Sequence, residues 1–171
     1  MQSTLENQAG FTMATWQHRP ESYGYVRARS QDPFKHPEIQ PNYLAADTDQ
    51  QVILAAIKTC RKLAQTEALR PFIVNETFPG AACQNDDELL NSAREIGQSI
   101  YHLMGTCRMG NRDDKTAVVD AELRVHGIKN LRVIDASIMP TMVSANLNAA
   151  VMMIAEKGAD MVLGKLSAKL H

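Results

Sequence analysis

His102-Leu103-Met104-Gly105-Thr106-Cys107-Arg108-Met109-Gly110, followed further along by Asp135-Ala136-Ser137-Ile138-Met139-Pro140 and then Asn146-Leu147-Asn148, is the stretch on which the reading of this chain turns. Its chemistry is a histidine at the edge of a glycine-containing turn, and an asparagine at the start of an apolar helix. Taken alone, His102 is a structural side chain whose ring satisfies a neighbour. Asn146 taken alone is a helix N-cap. Leu131-Arg132-Val133-Ile134 before Asp135 reads as a strand ending in a turn.

Working outward, Ser99 to Met104 reads as a strand that delivers His102, and residues 117–125 and 131–134 are two further extended candidates. The last helix carries Val151, Ile154, Ala155, Ala159, Val162 and Leu166 on one face, with Asn146 or Asn148 placed to cap it. Toward the N-terminus, two strands are expected, one over residues 10–20 and one over Tyr25-Val26-Arg27-Ala28-Arg29, where apolar and basic residues alternate. Turn signals at Asp32-Pro33 and Pro41-Asn42 bracket the short extended piece Glu38-Ile39-Gln40. Asp47 opens a helix with Val52, Ala55, Ala56, Cys60, Leu63 and Ala64 at helical spacing and Gln50, Lys58, Arg61 and Lys62 toward solvent, ending near Leu69 before Pro71. Asn85 with Glu88 three positions on has the offset of a capping box, which predicts a second helix to about Ile96.

The 171 residues suffice for one ordinary domain with a sizeable core. A formal net charge of −1 provides no field for nucleic acid or an anionic membrane surface, so neither is an expected partner. Cys60, Cys83 and Cys107 are odd in number and lack metal-ligand spacing, which points to a reducing compartment, the cytoplasm by default. No apolar run approaches the ~20 residues that span a bilayer, and no signal peptide is seen. The methionines read as core filling, and His36 and His126 lack ligand-like neighbours, so no metal is expected.

The residues quoted above, with Arg19-Pro20-Glu21-Ser22-Tyr23-Gly24, Asp32-Pro33 and Pro41-Asn42-Tyr43-Leu44, resemble the C-terminal region of the glucose-methanol-choline (GMC) flavin oxidoreductases, most closely their choline dehydrogenase-like branch. The likeness runs from Arg19 to Gly164. Departures are small: Leu103 stands where proline is frequent, Ala145 where glycine is common, and Ala149-Ala150 where proline or threonine often follows. The resemblance implies an α+β fold, with an antiparallel or mixed sheet and flanking helices over residues 1–105 as part of the substrate-binding domain. Residues 106–171 would return to the flavin-binding domain.

The same resemblance implies FAD as cofactor and hydride transfer from an alcohol CH–OH group to flavin N5. His102 would hold the substrate hydroxyl and take its proton, a role suited to imidazole with its ordinary pKa of ~6.5. Asn146 would hydrogen-bond the alcohol oxygen. Asp135 and Ala136 would run beside the cofactor, Ala136 being small enough for close backbone approach. The helix opening at Leu147-Asn148 would point its positive end at the flavin and favour its anionic reduced form. Nowhere in the chain does a strand lead into Gly-x-Gly-x-x-Gly, so the N-terminal FAD-binding domain is expected to be missing, and Met1 need not be a natural start. The expected partners are thus that domain and a small alcohol. The alternative is a stand-alone, non-catalytic small-molecule-binding remnant of the same fold.

Overall fold

The computed structural model describes residues 9–165; the N-terminal heptad and Leu166 of the expected helix face lie outside them. Element order is β1 (Tyr25–Arg27), β2 (Glu38–Gln40), α1 (Asp47–Ala64), α2 (Asp86–Ile96) and α3 (Asn148–Val162). The chain forms two compact units. One comprises residues up to Gln17 with Leu44–Gly97, the other His18–Tyr43 with residues from Gln98 onward.

The first unit is a helix pair. Asp47 and Asp49 sit in the first turn of α1, where the positive helix end favours acids, and Arg61 and Lys62 sit in the last. α2 begins as expected: the Asn85 side chain accepts the Glu88 N–H at 2.9 Å, and Glu88 accepts from the N–H groups of Gln84 (2.7 Å) and Asn85 (3.2 Å). The helices bury Leu54, Leu89 and Leu90 between them, with Ile53, Ile57 and Cys83 packed around. Two expectations change here. Leu63 and Ala55 are exposed, because the face that meets α2 is centred on Leu54. Arg61 is half-buried rather than solvated, because its guanidinium is taken up by the 76–83 loop. It donates to Glu76 (3.0 and 3.1 Å) and to the Cys83 (2.8 Å) and Gly80 (3.1 Å) carbonyls. α1 stops at Ala64 rather than near Leu69, and a short 3-10 turn, Arg70–Phe72, follows around Pro71.

In the second unit β1 and β2 pair antiparallel, with Val26 opposite Ile39. A side chain at Gly24 would stand 2.0 Å from the Gln40 carbonyl oxygen, so only glycine lets the strands close there. Asn42, at φ 54°, secures the return by donating from Nδ2 to the Tyr23 carbonyl at 2.9 Å. The expected strand over residues 10–20 does not form, and neither does that over 99–104. Around the latter the backbone turns at Tyr101 (φ 63°), whose N–H is taken by Ser99 Oγ at 3.0 Å. The expected strand over 117–125 is broken by a turn, Leu123 at φ 65° donating its N–H to the Asp120 carbonyl at 2.9 Å, and only isolated bridges form, Met109 with Val119, Val119 with Val125 and Arg124 with Arg132. Sheet formation needs runs of paired partners, and here each bridge stands alone.

Below them α3 closes a core of Val119, Leu123, Ile138, Met139, Leu147 and Ile154. The buried face of α3 is not the one expected. Leu147, Val151, Ile154, Gly158 and Met161 face the core, while Ala155, Ala159 and Val162 are exposed. Gly158 decides this: a methyl group there would meet Ile134 Cγ2 at 2.4 Å, so the missing side chain is what lets the helix seat against residues 131–134. Among the described residues no helix is long and apolar enough to cross a membrane.

Candidate active site

The arm that carries His102 is anchored from within. Met104 and Met109 pack on the core, and His102 and Cys107 are half-buried. Gly105 takes φ 86°, a conformation that costs other residues strain, and a methyl group there would touch the Met139 carbonyl oxygen at 3.4 Å. His102 itself meets no hydrogen-bond partner among the described residues, so its imidazole is unclaimed by the fold. The structural reading, in which its ring satisfies a neighbour, is therefore not what the geometry provides. His126 does behave that way, Nε2 donating to the Gly110 carbonyl at 3.1 Å.

Three backbone hydrogen bonds tie this arm to the turn after residues 131–134. Gly105 N–H donates to Ala136 O (3.4 Å), Cys107 N–H to Ser137 O (2.9 Å) and Met109 N–H to Ile138 O (2.7 Å). The turn, Ala136–Ile138, is a single 3-10 turn capped by Asp135, whose Oδ1 accepts the Ser137 N–H at 2.7 Å. Asp135 is thus partly committed to its own turn, and Ala136 packs on the core.

From there the chain runs through Met142 and Val143, packed on the core, to α3. Leu147, rather than Asn146 or Asn148, is the N-cap residue, and no side chain caps the helix. The reason is packing: Leu147 is 4% exposed in the core, which turns both flanking asparagines outward. Only the Leu147 backbone is then available to a cofactor. Asn148 Nδ2 lies 3.8 Å from Met152 Sδ, and the Asn146 amide has no partner among the described residues. The first turn holds no acid, and the N–H groups of Asn148, Ala149 and Ala150 meet no acceptor among the described residues. This is an uncapped positive helix end beside the Asn146 amide, an arrangement suited to a group that is, or becomes, negative.

Of the six residues expected in the site, Ala136 and Leu147 pack in one core, His102 lies three residues before the first backbone bond to the Ala136 turn, Asp135 caps that turn, and Asn146 and Asn148 flank Leu147. An open depression of about 760 Å³ between residues 110–112 and 120–132 includes neither His102 nor Asn146; it is lined by Arg112, Arg124, Lys129 and Arg132 with Asp120 and Glu122. No group of three His, Cys, Asp or Glu able to hold a metal occurs among the described residues. One residue carried no expected role yet reaches this region: Arg19 donates from Nε to Ser144 Oγ at 2.5 Å. No local pattern signals a contact across 125 residues of chain.

Residues 20–155 match the family described as GMC oxidoreductase, in its C-terminal region. Over 147 residues, 86% of the chain, it is 48% identical to the human protein named "Choline dehydrogenase, mitochondrial", and over 163 residues 43% identical to an Escherichia coli "Oxygen-dependent choline dehydrogenase". The chain spans only about a quarter of the length of these relatives, 25% and 29%. Among solved structures, a pyridoxine 4-oxidase from Mesorbium loti superimposes with a TM-score of 0.75 at 33% identity, covering 87% of this chain and 29% of that one. A formate oxidase from Aspergillus oryzae, studied for its FAD modification, gives 0.72 at 32% identity over 83% of this chain and 25% of that one.

Proposed function

The chain belongs to the GMC oxidoreductase family, and from that premise we propose that it is the C-terminal part of an FAD-dependent dehydrogenase or oxidase acting on an alcohol CH–OH group. The observation that carries this reading is the three-bond ladder between the His102 arm and the Asp135-capped turn. It ties the segment just after His102 to the segment that leads into a bare helix terminus.

FAD, when bound, supplies the two-electron acceptor for the hydride of the alcohol carbon. The residues present fit such a group: the uncapped N–H groups at the start of α3 await a negative partner. His102 accepts the hydroxyl proton, its ring being unengaged by the fold. Asn146 donates its amide N–H to the alcohol oxygen as charge develops there. Asp135 keeps the turn in shape. Residues 1–105 form a portion of the substrate-binding domain and residues 106–171 the segment that completes the flavin-binding domain. An N-terminal flavin-binding portion, which such relatives have the length to hold, completes the protein. The free thiols of Cys60, Cys83 and Cys107 suit a reducing compartment, the cytoplasm in this reading.

The test is anaerobic mixing of the full-length, flavin-loaded protein with choline and with a neutral primary alcohol. Loss of the oxidised-flavin absorbance with either is the expected result. Bound flavin that no alcohol bleaches would overturn the reading in favour of a non-catalytic binding module.

A further inference from the structure

We propose that Arg19 is a positioning residue, holding the loop that carries Asn146 through its hydrogen bond to Ser144. The inference rests on the role proposed above for Asn146. Between Val143, packed on the core, and Leu147, buried in it, residues 144–146 form an exposed excursion. Among the described residues no hydrogen bond reaches 140–146 other than that from Arg19 Nε to Ser144 Oγ. A loop with apolar anchors at both ends but a single polar tether has its free segment oriented by that tether. Asn146 lies two residues beyond it, on the same excursion.

Arg19 is itself well supported. Pro20 follows it and fixes its own φ near about −65°. Beyond stand the Gly24–Gln40 close approach and the Asn42–Tyr23 bond, which lock the β1–β2 hairpin. The guanidinium is thus presented from a stiff base, and it donates to a neutral hydroxyl, so what it contributes is direction rather than charge neutralisation. Without it the Asn146 amide samples orientations away from the alcohol oxygen, and the cost falls on the step in which charge develops there.

The experiment uses the full-length flavin-loaded protein with Arg19→Ala, Arg19→Lys, Ser144→Ala and Asn146→Ala, and the Arg19→Ala/Asn146→Ala double variant. Arg19→Ala and Ser144→Ala should each lower kcat by roughly five- to tenfold with little change in KM, the size expected for one hydrogen bond. Arg19→Lys should recover part of the loss. Hydrogen–deuterium exchange should quicken at residues 140–147 in both alanine variants and stay unchanged at Asp86–Ile96. Adding Arg19→Ala to Asn146→Ala should cost nothing more. A full additional loss in the double variant, or unchanged exchange at 140–147, overturns the proposal. So does a slowed Asn146→Ala alongside unaffected Arg19→Ala and Ser144→Ala, which leaves the reading of Asn146 standing. Unchanged turnover in Asn146→Ala overturns that reading and this proposal together. Should Arg19→Ala fail to fold, Ser144→Ala, which removes only the exposed acceptor, decides by the same readouts.

Discussion

α2 and α3 begin in opposite ways. At α2, Asn85 and Glu88 close a reciprocal capping box, and Asp86, Asp87 and Glu88 place three acids in the first turn. At α3 the cap position is a buried leucine, no side chain caps the helix, and the first turn holds no acid. The first arrangement completes the helix from within its own sequence. The second leaves a helix of 15 residues held by its packed face alone, its polar start open to something else. A terminus that forgoes about 1 kcal/mol of capping has been kept for another purpose. In the function proposed above, that purpose is the reaction site shared with His102 and Asn146.

If the contrast is right, changes around α3 should be felt in turnover and changes around α2 in stability. The largest effect is expected at His102. In the full-length protein His102→Ala should lower kcat by about 100- to 10,000-fold while the flavin stays bound and thermal unfolding is unmoved; undiminished turnover would break the comparison at its functional end. Gly158→Ala should cost about 1–3 kcal/mol in chemical denaturation, since its methyl would press on Ile134 and lift the face on which α3 depends. Asn85→Ala should cost about 1 kcal/mol by the same measurement and leave kcat alone, because α2 has no part in the chemistry. Asn148→Asp sharpens the contrast from the other side. An acid at the start of α3 should raise stability by about 0.3–1 kcal/mol and at the same time slow hydride transfer, read as slower anaerobic flavin bleaching. A stabilised variant that bleaches as fast as the parent would show that the bare terminus is merely tolerated.

The smallest effect concerns acid. The backbone N–H groups of Gln84 and then Asn85 hold the Glu88 carboxyl below its usual value of 4.5. A carboxyl with a depressed folded-state pKa contributes stability that is fully present above 4.5 and is lost as pH falls through the lower folded value. Amide exchange over Asp86–Ile96 should therefore quicken as pH drops below that range beyond the intrinsic trend, and Glu88→Gln should abolish the dependence.

These contrasts also mark what could be read in advance. The capping box at Asn85 and Glu88 and the opening of α1 at Asp47 are written in residues a few positions apart, and the structure has both where local chemistry put them. The α3 start misled for the same reason: two asparagines beside Leu147 look like caps, yet burial of Leu147 in a core drawn from residues 119–154 turns both away. Gly158 was invisible as a core residue because its contribution is an absent side chain. The strands expected at 10–20 and 99–104 failed since pairing, unlike capping, depends on partners remote in sequence. The site residues were legible through their resemblance to a family, not through spacing, and Arg19 could be found only once the contact to Ser144 was seen.

The ladder between residues 105–109 and the turn at Ala136–Ile138 consists wholly of peptide groups. Gly105 apart, whose positive φ other residues adopt only with strain, its spacing depends little on which side chains hang from either strip. Thr106 or Ser137 can therefore be exchanged without breaking a rung. Such a frame separates the geometry of the two strips from the chemistry of the side chains they carry.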